Sequence, residues 1–297
     1  MNKNQQRILV SGSTGQLGQE LQFIAKQYPN FKFTFKNRKK LDLSSESQIK
    51  KTLLTDYDYF INAAAYTAVD KAESDQKTAY QVNAKALGHI GKYLSPKTKV
   101  IHISSDYVYH NDPGRPLSES DSTKPKGVYA KSKLEGENLL LQHRPDAIIV
   151  RTSWVYSTFG NNFVKTMVRL GSSRDALNIV ADQYGCPTYA RDLALAIMNI
   201  IQNQKVETYM PSTKAGIYNF SNYGLTTWAD FAREIFKQAK IDCKVGETTT
   251  KAYNAPAPRP HWSMMSKERI QREFHIHVPN WKKSLQSCLK ELDRSWT

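Results

Sequence analysis

The sequence of 297 residues contains only three cysteines, and none of them belongs to a Cys-x-x-Cys pair. Thiols so few and so widely spaced argue against a disulfide framework and against a zinc site. No apolar run approaches the roughly 20 residues that a membrane-spanning helix needs. The polar segment 1–7 leads directly into a short apolar run and lacks the apolar core of a signal peptide. We therefore expect a cytoplasmic protein that does not insert into membranes.

Acidic residues are scarce relative to basic ones, because 27 Asp and Glu face 42 Lys and Arg, a formal net charge of +15. Such a surface is compatible with nucleic-acid binding, with steering of small phosphorylated ligands, or simply with good solvation. The lysines are spread along the chain, and only residues 36–40 form a short cluster. Since no basic tail or recognition helix is evident, we expect no nucleic-acid partner.

The first half of the chain alternates short apolar runs with longer amphipathic ones. The runs that predict strands are 7–11, 31–35, 59–62, 100–104 and 147–151. The runs that predict helices between them are 17–26, 46–54, 76–93 and 129–141. Repeated strand-helix alternation is typical of α/β proteins, so we predict a doubly wound parallel Rossmann-type sheet.

After residue 151 this rhythm breaks. Helices are predicted at 162–170, 191–202, 228–237 and 281–292, and the loops between them are rich in Pro, Gly and Asn. The run Ala-Pro-Ala-Pro-Arg-Pro at 255–260 excludes a helix or a central strand there. We expect a dinucleotide-binding Rossmann domain at 1–155. A smaller, mainly substrate-binding region is expected at 156–297, with some segments returning to the Rossmann sheet.

A glycine pattern follows the first predicted strand and leads into the first predicted helix. Its glycines permit a tight turn and close backbone approach, and the helix N-terminus offers free N–H groups to a pyrophosphate. The alternative is that these glycines only form a tight turn and bind no ligand. The spacing Gly-x-x-Gly-x-x-Gly resembles the extended short-chain dehydrogenase/reductase superfamily, which acts largely on nucleotide sugars. The loop residues expected to contact the cofactor are Gly12, Thr14, Gly15, Gln16, Leu17 and Gly18.

The run that follows the second predicted strand, residues 36–40, is Lys-Asn-Arg-Lys-Lys, and no acid precedes Asp42. An NAD site usually offers an acid here to the ribose hydroxyls. Cations suit a 2′-phosphate instead, and Arg38 can hold it through two N–H groups. We therefore expect NADPH to be preferred and leave acceptance of NADH open, with a solvated basic loop as the alternative.

Tyr129 and Lys133 form a Tyr-x-x-x-Lys pair on a predicted helix, where side chains four apart share a face. The ammonium is expected to lower the phenol pKa from its usual value of about 10 and to hold the nicotinamide ribose. The fourth predicted strand ends in Ser104 and Ser105. A hydroxyl at that edge can bind a substrate carbonyl or simply cap the strand end.

Longer blocks resemble the dTDP-4-dehydrorhamnose reductase family, in order from about residue 7 to the C-terminus. The blocks are NAAAYTAVDKAE at 62–73, SSDYVY at 104–109, RTSWVY at 151–156, GNNF at 160–163, DQYGCPT at 182–188, TW at 227–228 and RP at 259–260. The resemblance implies NADPH-dependent reduction of the C4 keto group of dTDP-4-dehydro-6-deoxy-L-mannose (dTDP-4-dehydrorhamnose) to dTDP-L-rhamnose.

The same resemblance assigns site residues. The catalytic residues are Ser105, which stands where the family usually has Thr, together with Tyr129 and Lys133. Further cofactor contacts fall on Asp42, Leu43, Ala63, Ala64 and Tyr66. Substrate contacts fall on Thr67, Ser105, Asp106, Trp154, Asn161, Gln183 and Arg259. For Trp154, core packing is the alternative role.

Two other functions remain open: another extended short-chain epimerase or reductase acting on nucleotide sugars, and a non-catalytic NADP-binding regulatory subunit. Some members of the family hold magnesium between subunits through three glutamates. Glu20 and Glu291 match the first and third of these positions, whereas the second is Arg191. A guanidinium cannot ligate magnesium, so we expect no metal. Arg191 can pair with one of the glutamates instead, which leaves a homodimer contact open.

Overall fold

The computed structural model describes residues 5–203 and 214–296, with side chains described as far as residue 293. The predicted regions 1–155 and 156–297 therefore extend beyond the described residues at 1–4, 204–213 and 297.

Thirteen strands are present among the described residues. In chain order they are β1 (Gln6–Ser11), β2 (Phe31–Lys36), β3 (Tyr59–Asn62), β4 (Lys99–Ser105), β5 (Ile148–Thr152), β6 (Val155–Tyr156), β7 (Ala176–Val180), β8 (Tyr184–Gly185), β9 (Thr188–Tyr189), β10 (Gly216–Phe220), β11 (Thr226–Thr227), β12 (Lys244–Thr248) and β13 (Trp262–Ser263).

The helices lie between and after these strands. In chain order they are α1 (Gln16–Ala25), α2 (Glu46–Leu53), α3 (Val69–Ala72), α4 (Gln76–Tyr80), α5 (Ala86–Tyr93), α6 (Gly127–His143), α7 (Phe163–Gly171), α8 (Ala190–Asn203), α9 (Trp228–Ala239), α10 (Thr250–Tyr253), α11 (Glu268–Phe274) and α12 (Trp281–Trp296). A π-helical turn, Gln81–Lys85, joins α4 to α5, and a 3-10 turn, Asp106–Val108, follows β4.

Six strands form one parallel sheet in the order β10-β5-β4-β3-β1-β2. The order reverses between β1 and β3, because the chain builds outward to β2 first and then to β4, β5 and β10. Ligands of open α/β sheets bind outside the carboxyl ends of the strands at such a reversal. The predicted doubly wound Rossmann-type sheet is confirmed, and each of the five predicted strands agrees with the structure to within one residue at either end.

Alternate residues of β1 pack on opposite faces of the sheet. Ile8 and Val10 join the cluster formed with α1 and α8, whereas Leu9 joins the cluster formed with α2, α5 and α6. All three side chains are fully buried, and each burial contributes about 1.5–3 kcal/mol. The loop that follows β1 therefore starts from a rigid base.

The helix predicted at 76–93 is interrupted by the π-helical turn. At this turn the Asn83 side chain accepts from the Tyr66 backbone N–H at 2.8 Å and donates to the Tyr66 carbonyl at 3.1 Å. It also donates to Ser132 on α6 at 3.1 Å. The turn thus ties the loop after β3 to the helix that carries Tyr129, which a continuous-helix pattern does not reveal.

The residues after 156 contribute to two structures. A second core joins α7, α9 and α12 through apolar side chains such as Met167, Phe231 and Leu285. β10 pairs in parallel with β5 at the edge of the main sheet, and α8 packs against α1. Among the described residues, no helix has both the length and the apolar character needed to cross a membrane.

Candidate active site

A cavity of about 760 Å³ opens at the carboxyl ends of β1, β3, β4 and β5, beside the reversal point of the sheet. All the predicted site residues except Gly18, Gln183 and Arg259 line this cavity. The structure thus brings together side chains from the glycine loop, three strand ends, α6 and residues 154–161. Their individual roles in binding stay predictions.

The glycine loop approaches the main chain after β3 closely. Gly12 has a φ of +68°, and a Cβ there would lie 2.7 Å from the Ala64 backbone nitrogen. Gly18 does not line the cavity, because it packs beneath the loop, where a Cβ would lie 2.2 Å from the Gly12 carbonyl oxygen. Helix α1 begins after Gly15 without a side-chain cap. Its first N–H groups are therefore available to an anion.

The far end of the cavity is basic. Arg38 is 74% exposed, and its Nε lies 3.5 Å from the Asp42 carboxylate. Burial opposes ionisation of Asp42, but hydrogen bonds from Ser44 and the charge of Arg38 outweigh it, so the pKa of Asp42 is lowered. Because the contact to Asp42 is long and exposed, the guanidinium is free to reorient toward a phosphate.

Helix α6 places Tyr129 and Lys133 one turn apart on the cavity side. Lys133 is 1% exposed, and its Nζ donates to the Ile103 carbonyl oxygen at 2.8 Å. The His102 Nε2 lies 3.3 Å from the same nitrogen. Burial lowers the pKa of Lys133 to about 8, although the charge of Glu137 acts in the opposite direction.

The expected lowering of the Tyr129 pKa is wrong for this structure. Burial and, to a smaller extent, the charge of Asp106 raise the pKa of Tyr129 to about 12, although a hydrogen bond with Ser105 acts in the opposite direction. The physical reason is burial of the phenol, and the Lys133 amine, which was expected to lower this pKa, instead donates to Ile103 and lies beside His102. A phenol that stays protonated at neutral pH is the form required of a proton donor.

Ser104 and Ser105 both reach the cavity at the end of β4. Ser105 Oγ donates to Asp106 Oδ1 at 3.0 Å and accepts from the Tyr107 backbone N–H at 3.3 Å. Burial raises the pKa of Asp106 to about 6, against the lowering effect of hydrogen bonds with Ser263 and Ser105. Among the described residues, Ser104 Oγ and Asp106 Oδ2 are buried without a partner. A polar ligand group in the cavity could satisfy them.

Trp154 stands on the opposite wall with a φ of +47°, which is rare for a bulky residue and favours a functional role. Its indole stacks on Trp228, with ring centroids 3.6 Å apart and an interplanar angle of 11°. Gln183 lies behind this pair, because its Oε1 accepts from Trp228 Nε1 at 3.1 Å and its Nε2 donates to Thr250. Gln183 therefore supports the wall without lining the cavity.

Arg259 is also placed away from the cavity lining. Both of its terminal nitrogens donate to the Asp70 carboxylate, at 3.0 and 2.8 Å. The prediction omitted several residues that do line the cavity, among them Tyr107, Thr152 and Gly160. Each lies inside one of the blocks that carry the family resemblance, so those blocks were the available signal. Leu193 of α8 also lines the cavity, but no sequence motif marks it.

The predicted pairing of Arg191 with a glutamate is confirmed. Arg191 Nε lies 2.6 Å from Glu20 Oε2, and Ser157 donates to the other oxygen of this fully buried carboxylate. The guanidinium also lies over the Phe23 ring at 3.8 Å. Glu291 acts on Arg191 through its charge. Arg191 therefore compensates the carboxylate of Glu20 directly.

Comparison with known proteins identifies the family that the sequence motifs indicate. The family model described as RmlD substrate binding domain matches residues 6–294. A dTDP-4-dehydrorhamnose reductase of Sinorhizobium fredii is 37% identical over 286 residues, covering 94% of this chain and 95% of that protein. The chain belongs to the dTDP-4-dehydrorhamnose reductase family.

Solved structures of the dTDP-4-dehydrorhamnose reductase family share the fold over 97% of this chain. The enzyme of Clostridium acetobutylicum has a TM-score of 0.90 at 34% identity, covering 97% of this chain and 99% of that one. The enzyme of Bacillus anthracis, solved in complex with NADP, has a TM-score of 0.89 at 32% identity with the same coverage. The family predicted from the sequence motifs is confirmed.

Proposed function

We propose that this protein uses NADPH to reduce the C4 keto group of dTDP-4-dehydro-6-deoxy-L-mannose (dTDP-4-dehydrorhamnose), giving dTDP-L-rhamnose. The observation that supports this most strongly is that the glycine loop, Ser105, Tyr129 and Lys133 line one cavity. The S. fredii relative is named for this reductase activity, and the B. anthracis relative was solved with NADP.

The residues present fit a phosphorylated dinucleotide. The loop at Gly12 packs against the backbone of Ala64 without room for a Cβ and lines the cavity, and the uncapped start of α1 supplies N–H donors for a pyrophosphate. Arg38 at the basic end suits a 2′-phosphate. Ala63 and Ala64 would contact the adenosine half, and Lys133 would hold the nicotinamide ribose. When bound there, NADPH supplies the hydride for the reduction.

The side chains at the other end of the cavity supply the proton that the reduced carbonyl oxygen accepts. Tyr129 is protonated at neutral pH and donates its proton to the oxygen of the former C4 carbonyl. Ser105 binds that oxygen while negative charge develops on it. The charged form of Lys133 stabilises the phenolate that remains on Tyr129. These roles need only the groups that the cavity already brings together.

The sugar nucleotide is proposed to lie against the wall formed by Thr67, Asp106, Trp154 and Asn161. We propose that residues 156–297 mainly bind substrate, whereas 1–155 hold the cofactor. Gln183 and Arg259 would act from behind this wall by fixing Trp228 and Asp70. The three cysteines are free and buried, which favours a reducing compartment such as the cytoplasm. A homodimer stays a prediction.

The direct test is NADPH oxidation by the purified protein with a panel of dTDP-, UDP- and GDP-linked 4-keto sugars. The proposal predicts turnover with the dTDP-4-keto-6-deoxy sugar and formation of the C4 alcohol. Turnover only with a UDP- or GDP-linked sugar would keep the reductase activity but change the nucleotide of the proposed substrate. Conversion without net NADPH oxidation would indicate an epimerase, and no turnover with NADPH bound would favour a regulatory subunit.

A further inference from the structure

Lys133 is held by a neighbour that the mechanism above does not use. His102 lies on β4 beneath the cavity, is 1% exposed, and directs Nε2 toward Lys133 Nζ at 3.3 Å. We propose that His102 is a positioning residue for Lys133, which fixes the ε-amine and favours its neutral form through a proton on Nε2. This inference rests on the proposed function, because its consequence is a limit on the pH range of reduction.

The position of the proton follows from Asn62 on β3. The backbone N–H of Ala64 can only donate, and it points to Asn62 Oδ1 at 3.3 Å. Ser11 Oγ donates to the same oxygen at 2.6 Å. The amide nitrogen of Asn62 must therefore face His102, and it donates to Nδ1 at 3.1 Å. A neutral imidazole that accepts at Nδ1 carries its proton on Nε2.

The strand register holds this arrangement in place. Ser11 is paired with Asn62 across β1 and β3, and Asn62 is paired with His102 across β3 and β4. All three side chains are at most 1% exposed. Burial lowers the pKa of His102 well below its usual value, and the charge of Lys133 lowers it further. His102 is therefore neutral and cannot rotate freely to offer its other nitrogen.

The Nε2 proton has different consequences for the two forms of Lys133. An ammonium has three donors and no acceptor, so the charged form faces His102 donor to donor. A neutral amine has a lone pair and accepts the Nε2 proton. The Ile103 carbonyl accepts from Lys133 in either form. His102 thus adds to the effect of burial, and the charge state of Lys133 is balanced close to working pH.

Other titratable groups around Lys133 act in known directions. Glu137, one turn further along α6, favours the charged amine but is itself bound by Arg151 at 2.6 and 3.0 Å. Asp106 and Tyr129 line the same cavity, and burial raises the pKa of Asp106 to about 6 and that of Tyr129 to about 12, so neither accounts for a change near pH 8. A loss of activity near pH 8 is therefore expected from Lys133, with activity present below its pKa and lost above it.

The test compares the pH dependence of kcat/KM in the parent and two variants. His102→Phe removes the Nε2 donor but keeps a planar ring. Asn62→Asp keeps the shape of the side chain and accepts a hydrogen bond from a protonated His102 Nδ1, so that the neutral ring presents the Nε2 lone pair to Lys133. Both should move the alkaline limb upward by about one pH unit. His89→Phe on α5, outside the cavity lining, is the matched control and should leave the limb unchanged.

Identical alkaline limbs in the parent and in the folded variants would overturn the inference. If His102→Phe does not fold, His102→Leu carries the test, because it also removes the Nε2 donor and adds no charge near Lys133. Asn62→Asp is interpreted only beside a His102 variant, because its own negative charge would also raise the Lys133 pKa. If the parent turns over no 4-keto sugar, the proposed function fails, and the pH dependence of NADPH binding tests His102 separately. If the pH at which NADPH affinity falls to half its maximum is higher in the variants, the role of His102 is supported. If this pH is unchanged, the role is contradicted.

Discussion

The two walls of the cavity are built in different ways. The wall of β1, β3, β4 and α6 rests on main-chain geometry, since the Gly12 loop lies against the backbone of Ala64 and the strand register aligns Ser11 with Asn62. The wall around 154–161 rests on contacts between distant side chains, chiefly the stack of Trp154 on Trp228. In the proposed function the first wall, built on the rigid sheet, carries the chemistry, whereas the second wall recognises the substrate through side-chain contacts that substitutions can change.

The largest effect is expected from Tyr129→Phe on the first wall. Loss of the proton donor should lower kcat by about 100-fold or more, while the Kd for NADPH stays nearly unchanged. Steady-state kinetics and NADPH fluorescence titration measure the two quantities. The matched control is Tyr80→Phe, which changes a tyrosine of the same apolar cluster that does not line the cavity. A kcat within a few-fold of the parent would remove Tyr129 from its role.

On the second wall, Trp228→Ala should act on recognition rather than on chemistry. Without its stacking partner, Trp154 loses an interaction of about 0.5–1.5 kcal/mol, so KM for the sugar nucleotide should rise roughly 3- to 10-fold. The kcat should change less than KM. Trp228→Phe keeps an aromatic face and should recover most of the loss. A variant that loses kcat at constant KM would contradict the division between the two walls.

At the basic end of the first wall, Arg38→Asp should reduce the preference for NADPH over NADH by about tenfold. The reason is that a cation suited to the 2′-phosphate is replaced by a charge that repels it. The ratio of kcat/KM for the two cofactors measures the effect. Lys39→Asp makes the same charge change at a neighbour that does not line the cavity. Equal ratios in the two variants would show that only overall charge matters.

The smallest effect is expected from removal of metal ions. Arg191 already pairs with the buried Glu20 carboxylate, so treatment with EDTA should leave kcat and the molecular mass in solution unchanged. Activity assays and light scattering measure these before and after treatment. A loss of either that added magnesium restores would show that Glu20 and its neighbours hold a metal in spite of the guanidinium.

The difference between the walls also explains which parts of the fold and the site could be predicted from the sequence. Strand periodicity and the glycine spacing are local patterns, so the sheet and the site around Gly12 were predictable, and the Tyr129–Lys133 pair needed only helical spacing. The support of Trp154 by Gln183 depends on folding across many residues and has no local pattern. The raised pKa of Tyr129 likewise depends on burial and on the competing contacts of Lys133, which only the folded structure shows.

The sequence of β4 also carries a signal for His102. His102 interrupts the apolar run from Val100 to Ile103 of β4, and a polar residue inside a buried run must find partners. Its partners are Asn62 and Lys133, each supplied by a different element. A histidine in such a strand could therefore have been marked as part of the site, although its tautomer could not.

The central claim is that the two walls together carry out a net reduction of a dTDP-linked 4-keto sugar. The most direct measurement is the stoichiometry of NADPH oxidised to dTDP-L-rhamnose formed, followed by absorbance and by chromatography of the nucleotide sugars in one reaction. We expect one NADPH to be oxidised for each molecule of product. On the same time scale Tyr129→Phe should form almost no product and oxidise almost no NADPH. Product without net NADPH oxidation, or NADPH oxidation without the C4 alcohol, would contradict it.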